Sequence, residues 1–139
     1  MVPEYVRSGK VRLTYRHLTV LGDLSEKAAV AAEAAAEQGA FWPYHDRLFD
    51  LLSTEGRGAF TDERLQAIAA DLGLDVATWN ASRGSPLTLE KVHNETKQAE
   101  QLGVRQTPTL LIAGQKVEGA QPYVLLKQLI DQRLQAAGK

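Results

Sequence analysis

Cysteine is missing altogether from the 139 residues. That excludes a disulfide, a thiolate nucleophile and any Cys-ligated metal site within this chain. It also removes the cue from which a redox compartment is read. Long apolar runs are missing too: nothing approaches the roughly 18–20 consecutive apolar residues of a membrane helix, so no membrane span is expected. The opening Met1-Val-Pro-Glu-Tyr-Val-Arg-Ser8 has neither the basic start nor the apolar core of a secretory signal, which leaves localisation unassigned. No sign of charge dominates, since 16 Lys and Arg face 17 Asp and Glu for a net charge of −1. The basic residues are spread along the chain instead of forming the patch that nucleic acid requires, so no nucleic-acid partner is expected.

What is present describes an ordinary globular protein, with 44% hydrophobic and 24% charged residues. The length suits one domain, and there is no internal repeat, low-complexity tail or interdomain linker. Residues 2–10 read as an approach, the tail of a helix. Val11-Arg-Leu-Thr-Tyr-Arg-His17 alternates apolar and polar residues with the period of a half-buried strand. Asp23 and Glu26 have capping-box spacing, with Ser25 as an alternative cap, before the alanine-rich helix Ala28–Ala36. Gly39 suits its C-terminal turn.

A second helix covers Phe41–Leu52, with Pro43 in its first turn and Leu48, Phe49 and Leu52 on one face. Residues 53–59 hold two glycines and read as a loop. Thr61 then caps a helix whose Leu65, Ile68, Ala69 and Leu72 follow helical spacing up to Gly73. A short helix carrying Trp79 begins at Asp75, and Gly84-Ser-Pro86 breaks it. Leu89, Val92, Thr96 and Ala99 line the next helix, which stops at Gly103. Thr107-Pro108-Thr109 leads into an apolar β run, a glycine turn falls at Gly114, and a second short strand ends at Gly119. Gln121-Pro122 opens a last helix with Leu126, Leu129, Ile130 and Leu134 on its stripe. Proline lacks the N–H that a central strand must donate, so Pro108 belongs at the mouth of its strand. Cis bonds are about 5–6% of X–Pro bonds, so local chemistry alone favours trans. The order of strand, helices, two strands and helix describes an α/β mixed sheet with helices inserted between its halves.

Candidate chemistry is thin. His17 ends the first strand, His45 sits mid-helix beside Asp46, and His93 has polar neighbours. No two share the i, i+4 spacing of a helical zinc site, so each reads as a hydrogen-bonded or solvated histidine. No metal and no cofactor is expected. Asp62-Glu63 and the Glu95–Glu100 segment read as helix-surface charge. Neither a phosphate loop nor a G-x-S-x-G elbow occurs, and Trp42 and Trp79 read as core or interface aromatics. The residues by themselves supply no catalytic group.

Gly103-Val-x-x-Thr-Pro-Thr-Leu-Leu-Ile-x-Gly-x-x-Val-x-Gly-Ala-Gln-Pro-Tyr123 resembles the cis-proline loop and closing hairpin of DsbA-like thioredoxin-fold proteins. The strand Val11–His17, followed by Ala31-Ala-Glu-Ala-Ala-Ala-Glu-Gln-Gly-Ala-Phe-Trp-x-Tyr-His-Asp-x-Leu-Phe49, resembles the strand after the active site and the first inserted helices of that family. The two blocks stand in the family's order, and the likeness covers about residues 4–135. It implies a thioredoxin-like mixed sheet, a helical insertion at about residues 25–102 of a single domain spanning 1–139, and a cis Thr107–Pro108 bond. It also implies that the Thr107 backbone, with Pro108 shaping the loop and Gln106 on its surface, contacts an extended polypeptide substrate.

The departures from the family are equally informative. The first, central strand and the start of the Cys-x-x-Cys helix should precede Val11, so the domain reads as incomplete and redox-inactive. Ala34 and Ser82 stand where some relatives carry a second cysteine pair. Gln106 stands where relatives often have glycine, and Ala113-Gly114 replaces a more usual Asn-Gly turn. A sheet without its central strand has open edges, so filling by a second copy, a strand swap, a rearranged N-terminus or a separate piece is expected. The resemblance implies the C-terminal portion of a thiol:disulfide oxidoreductase of a family commonly exported or membrane-tethered. The competing expectations are a cysteine-free peptide-binding or assembly module and, more distantly, a glutathione-using enzyme of the same superfold.

Overall fold

A computed structural model describes residues 2–138 of the chain. After a π-helical turn at Val2–Val6 come α1 (Asp23–Ala36), α2 (Phe41–Glu55), a 3₁₀ turn at Arg57–Ala59, α3 (Asp62–Asp71), α4 (Val76–Arg83) and α5 (Pro86–Gln101). The hairpin strands β1 (Thr109–Ile112) and β2 (Gln115–Glu118) follow, and α6 (Tyr123–Ala136) closes the chain. These elements fall into two compact units, one made of residues 17–99 and the other of residues 1–16 with 100–139.

The 17–99 unit is helical. Alanine at 29, 31, 32, 34 and 35 buries most of one side of α1, and such small side chains let other helices approach closely. Tyr44, Leu48, Leu65, Ile68, Ala69 and Trp79 pack into that core. Its two large polar-tipped aromatics are satisfied at helix carbonyls: Trp79 Nε1–H donates to Ala31 C=O at 3.0 Å, and Tyr44 O–H to Leu65 C=O at 2.8 Å. A buried Trp or Tyr needs such a partner. Thr61 and Asp75 cap α3 and α4, accepting from the backbone N–H of Arg64 and Thr78.

Several local expectations shift. Gly22, not Asp23, is the N-cap of α1, without a side-chain cap bond, and Asp23 lies inside the first turn as a negative charge near the helix N-terminus. Helix α2 runs on through Ser53 and Thr54, whose hydroxyls both bond back to Asp50 C=O, so the loop is shorter than expected. Phe49, expected on the inner face of α2, is 54% exposed, and the buried positions are Tyr44 and Leu48. On α5 Thr88, Val92 and Glu95 are buried, and of the expected stripe Val92 is buried with Leu89, Thr96 and Ala99 half-buried beside it.

In the second unit β1 and β2 pair antiparallel, with Thr109 opposite Glu118 and Ile112 opposite Gln115. The turn between them is Ala113-Gly114, with φ of 48° and 85°. Helix α6 packs on β1 and buries Ile130. Tyr5 is buried and donates its hydroxyl to Asp131 at 2.6 Å, while Lys127 reaches Glu4 at 2.6 Å.

Val11–His17, expected as a strand, belongs to no ladder among the described residues, so the sheet there is two-stranded and antiparallel, not mixed. The alternation survives in burial: Val11 and Leu13 are half-buried while Arg12 and Thr14 are exposed. Side-chain alternation fixes a facing pattern, but a strand also needs a neighbour to complete its hydrogen bonds.

Candidate functional site

The proline loop is built from both ends. Gly103 ends the helical turn after α5 with φ of 69°, and Lys116 on β2 donates to Gly103 C=O at 2.9 Å. Val104 is buried, which anchors the descending chain. At the other end Pro108 C=O accepts from Gly119 N–H at 2.8 Å, extending the hairpin ladder by one bond. Thr109 Oγ1 donates to Gln106 C=O at 2.7 Å. Between these ties, Gln106, Thr107 and Pro108 are exposed, and the Thr107–Pro108 peptide bond is cis. Among the described residues, the Thr107 N–H and C=O have no hydrogen-bond partner.

That arrangement leaves the backbone N–H and C=O of one residue open at the end of an anchored strand. Backbone groups need partners, and an exposed pair beside a ladder can be completed by water or by an added extended chain. The three sequence-expected residues are thus contiguous and accessible. Their neighbours in sequence are Arg105 and Thr109.

The 17–99 unit holds a different polar group, which sequence reading missed. His17 Nε2 lies 3.0 Å from Glu33 Oε1, and His17 N–H donates to Glu95 Oε2 at 2.9 Å. Lys91 is hydrogen-bonded to the other Glu33 oxygen. His17, Glu33 and Glu95 are 4%, 7% and 7% exposed, which corrects the reading of Glu95 as surface charge. Burial pushes the Glu33 carboxyl up, but the hydrogen bonds from His17 and Lys91 outweigh it and hold the group below the usual glutamate range. Glu33 and Glu95 lie 16 and 78 residues from His17, so no local motif could have signalled their meeting. The one available hint was Glu33 itself, a lone acid within the alanine run.

The other histidines are accounted for locally. His93 pairs with Glu26 at 2.6 Å and His45 with Asp46 at 3.0 Å. Trp79 is a core residue, while Trp42 is 44% exposed.

A family model described as Thioredoxin matches residues 1–132. The chain belongs to the thioredoxin family. A solved thioredoxin-like oxidoreductase from Silicibacter pomeroyi DSS-3 is similar to it at a TM-score of 0.76 and 26% identity over 92% of this chain and 71% of that one. Curated relatives of this thioredoxin-family chain carry an antiporter name. "Na(+)/H(+) antiporter NhaA" of Herminiimonas arsenicoxydans is 39% identical over 93 residues, and "Na(+)/H(+) antiporter NhaA 3" of Salinispora tropica is 34% identical over 119. The alignments take in 67% and 81% of this chain but only 14% and 17% of those proteins, so the chain spans about a sixth of their length. No helix among the described residues is long and apolar enough to cross a membrane.

Proposed function

We propose that this chain is the substrate-recognition portion, C-terminal in its domain, of a DsbA-like disulfide oxidoreductase, redox-inactive as it stands because it carries no cysteine. The open backbone N–H and C=O of Thr107 carry this reading. An extended polypeptide laid against the loop would exchange hydrogen bonds with the Thr107 N–H and C=O, adding a short strand by β-augmentation. Pro108 stays tied to the hairpin through Gly119, so docking need not disturb β1. Gln106 offers an amide at the rim that can both donate and accept. The oxidoreductase name of the solved relative supports the reaction class for the longer protein, not an activity of this chain.

A second reading has its own support: a cysteine-free peptide-binding or assembly module within a larger polypeptide. The antiporter-named relatives, of which the matched segment is about a sixth, favour it. The DNA upstream of the Met1 codon separates the two. An in-frame strand followed by Cys-x-x-Cys favours the oxidoreductase, and a stop codon directly upstream favours the module. The outer edge of β1 is where a second copy would pair, and sedimentation at micromolar concentration showing a well-folded monomer would exclude that filling.

The binding step is tested by titrating the ¹⁵N-labelled chain with an unstructured peptide of alternating Val and Thr. The Thr107 amide should shift first, with little change in the 17–99 unit, and insulin reduction should stay at the buffer rate. A silent Thr107 at millimolar peptide removes the groove reading. Measurable insulin reduction by this chain removes the assignment of all redox chemistry to cysteines outside it.

A further inference from the structure

The geometry points to His17, Glu33 and Glu95 as a binding site for a divalent transition ion of the Zn²⁺ class. One ligand atom from each residue lies within 4.8 Å of the other two, and all three residues are buried. They come from separate segments, the chain before α1, α1 itself and α5, so a shared ion would join three parts of the helical unit. Zn²⁺ bonds to histidine nitrogen and carboxylate oxygen are about 2.0–2.2 Å, which sets ligand atoms roughly 3–3.5 Å apart. The His17 Nε2 to Glu33 Oε1 separation of 3.0 Å already lies at that spacing. One imidazole with two carboxylates suits Zn²⁺ or Mn²⁺ and lacks the thiolates that would select Cu(I) or an iron–sulfur cluster.

Charge gives the second reason. A carboxylate placed as deep as Glu33 draws positive charge to it, because desolvating an ion is costly. Lys91 serves Glu33 here, but its side chain is 54% exposed and can swing into water without leaving a packed position. Glu33 and Lys91 also line a surface groove of about 620 Å³ together with Ser82, Ser85 and Thr88, which gives an ion a route to the cluster. Lys91 is therefore a resident cation that a divalent ion would displace. In a chain without cysteine, such an ion would provide the cross-link that a disulfide provides elsewhere.

The test is a Zn²⁺ titration of the intact chain, read by calorimetry and by the ¹⁵N shifts of the imidazoles. Expected are one equivalent bound at micromolar affinity and a coordination shift at His17 Nε2, with His45 and His93 unchanged. Glu33→Gln and Glu95→Gln should each weaken binding by at least about tenfold, the scale on which ligand-shell losses are felt. Lys91→Met, which removes the competing cation and keeps both acids, should tighten it. If the Gln variants fail to fold, the wild-type imidazole shift and Lys91→Met still decide. No binding by the wild-type chain, or a shift at His45 or His93 in place of His17, overturns the assignment.

Discussion

In the 17–99 unit Trp79, Tyr44, Leu65 and Val92 are wholly buried, whereas in the hairpin unit Leu111, Tyr123, Val124 and Leu125 are between 41% and 66% exposed. The helical unit satisfies its backbone within each helix, so its apolar faces only have to find one another. The hairpin unit has two four-residue strands, α6 and the π-helical turn, and among the described residues it leaves the outer edge of β1 and the Thr107 N–H and C=O open. Two short strands are marginal in water without something to pack on or pair with. That openness is what the proposed docking of an extended chain would use. The buried core and the proposed docking loop thus lie in different units.

The largest test of that division is Trp79→Ala. It removes a wholly buried ring, its bond to Ala31 C=O, and the surface over which the Arg83 guanidinium lies 4.9 Å from the ring centre. Large-to-small changes of this kind cost about 3–5 kcal/mol. Leu111→Ala on exposed β1 should change stability by no more than about 0.5 kcal/mol. Urea unfolding measures both, and comparable losses would erase the contrast between the units.

Next comes Glu33→Gln, which leaves Lys91 and His17 without their carboxylate. The loss should be about 1–3 kcal/mol, the range for an abandoned buried partner. Its pH dependence has a definite sign. The Glu33 carboxyl sits lower in the folded chain than in an unfolded one, so the folded state binds fewer protons. Its contribution is full above about pH 4.3, the ordinary glutamate value, and fades as pH falls through the lower folded value. The wild type should lose stability over that acid window more steeply than Glu33→Gln, as thermal melts from pH 6 downward would record. Tyr44→Phe is milder, with a loss of about 0.5–1.5 kcal/mol for one buried hydroxyl-to-carbonyl bond. A smaller cost than that of a surface change in the hairpin would contradict the packing order.

The same division explains what could be read from residues alone. Caps at Thr61 and Asp75, the Leu65–Ile68–Ala69 face and the breaks at Gly73 and Gly84 are short-range signals, and the helical unit follows them. Gln106, Thr107 and Pro108 stand in one contiguous motif, and the structure shows them exposed with a cis Thr107–Pro108 bond. Val11–His17 was misread because alternation reports facing and not pairing, and pairing depends on a distant neighbour. Glu95 was misread for a related reason: on α5 it looks like one acid among several, and only the fold brings it to His17 N–H. On α2 Leu48 and Leu52 turned inward as expected, but Phe49 did not, and Tyr44, bonded to Leu65 C=O, is buried with them.

The last predicted effect is a gain, and it falls in the hairpin unit. The two-residue turn places Ala113 at φ 48° and Gly114 at φ 85°, so both central residues are left-handed, as a tight hairpin of this twist demands. Gly114 adopts that conformation without a Cβ penalty, but Ala113 brings its Cβ toward the following carbonyl, at a cost of about 1–2 kcal/mol. Asparagine tolerates the region better because its short side chain can bond the local backbone. Ala113→Asn should therefore stabilise the hairpin by about 0.5–1 kcal/mol. The signature is slower hydrogen exchange of the β1 and β2 amides, with the Trp79 core unchanged. If exchange slows equally in α1–α4, the two units share one opening transition, and the contrast between a closed helical unit and an open hairpin describes packing but not dynamics.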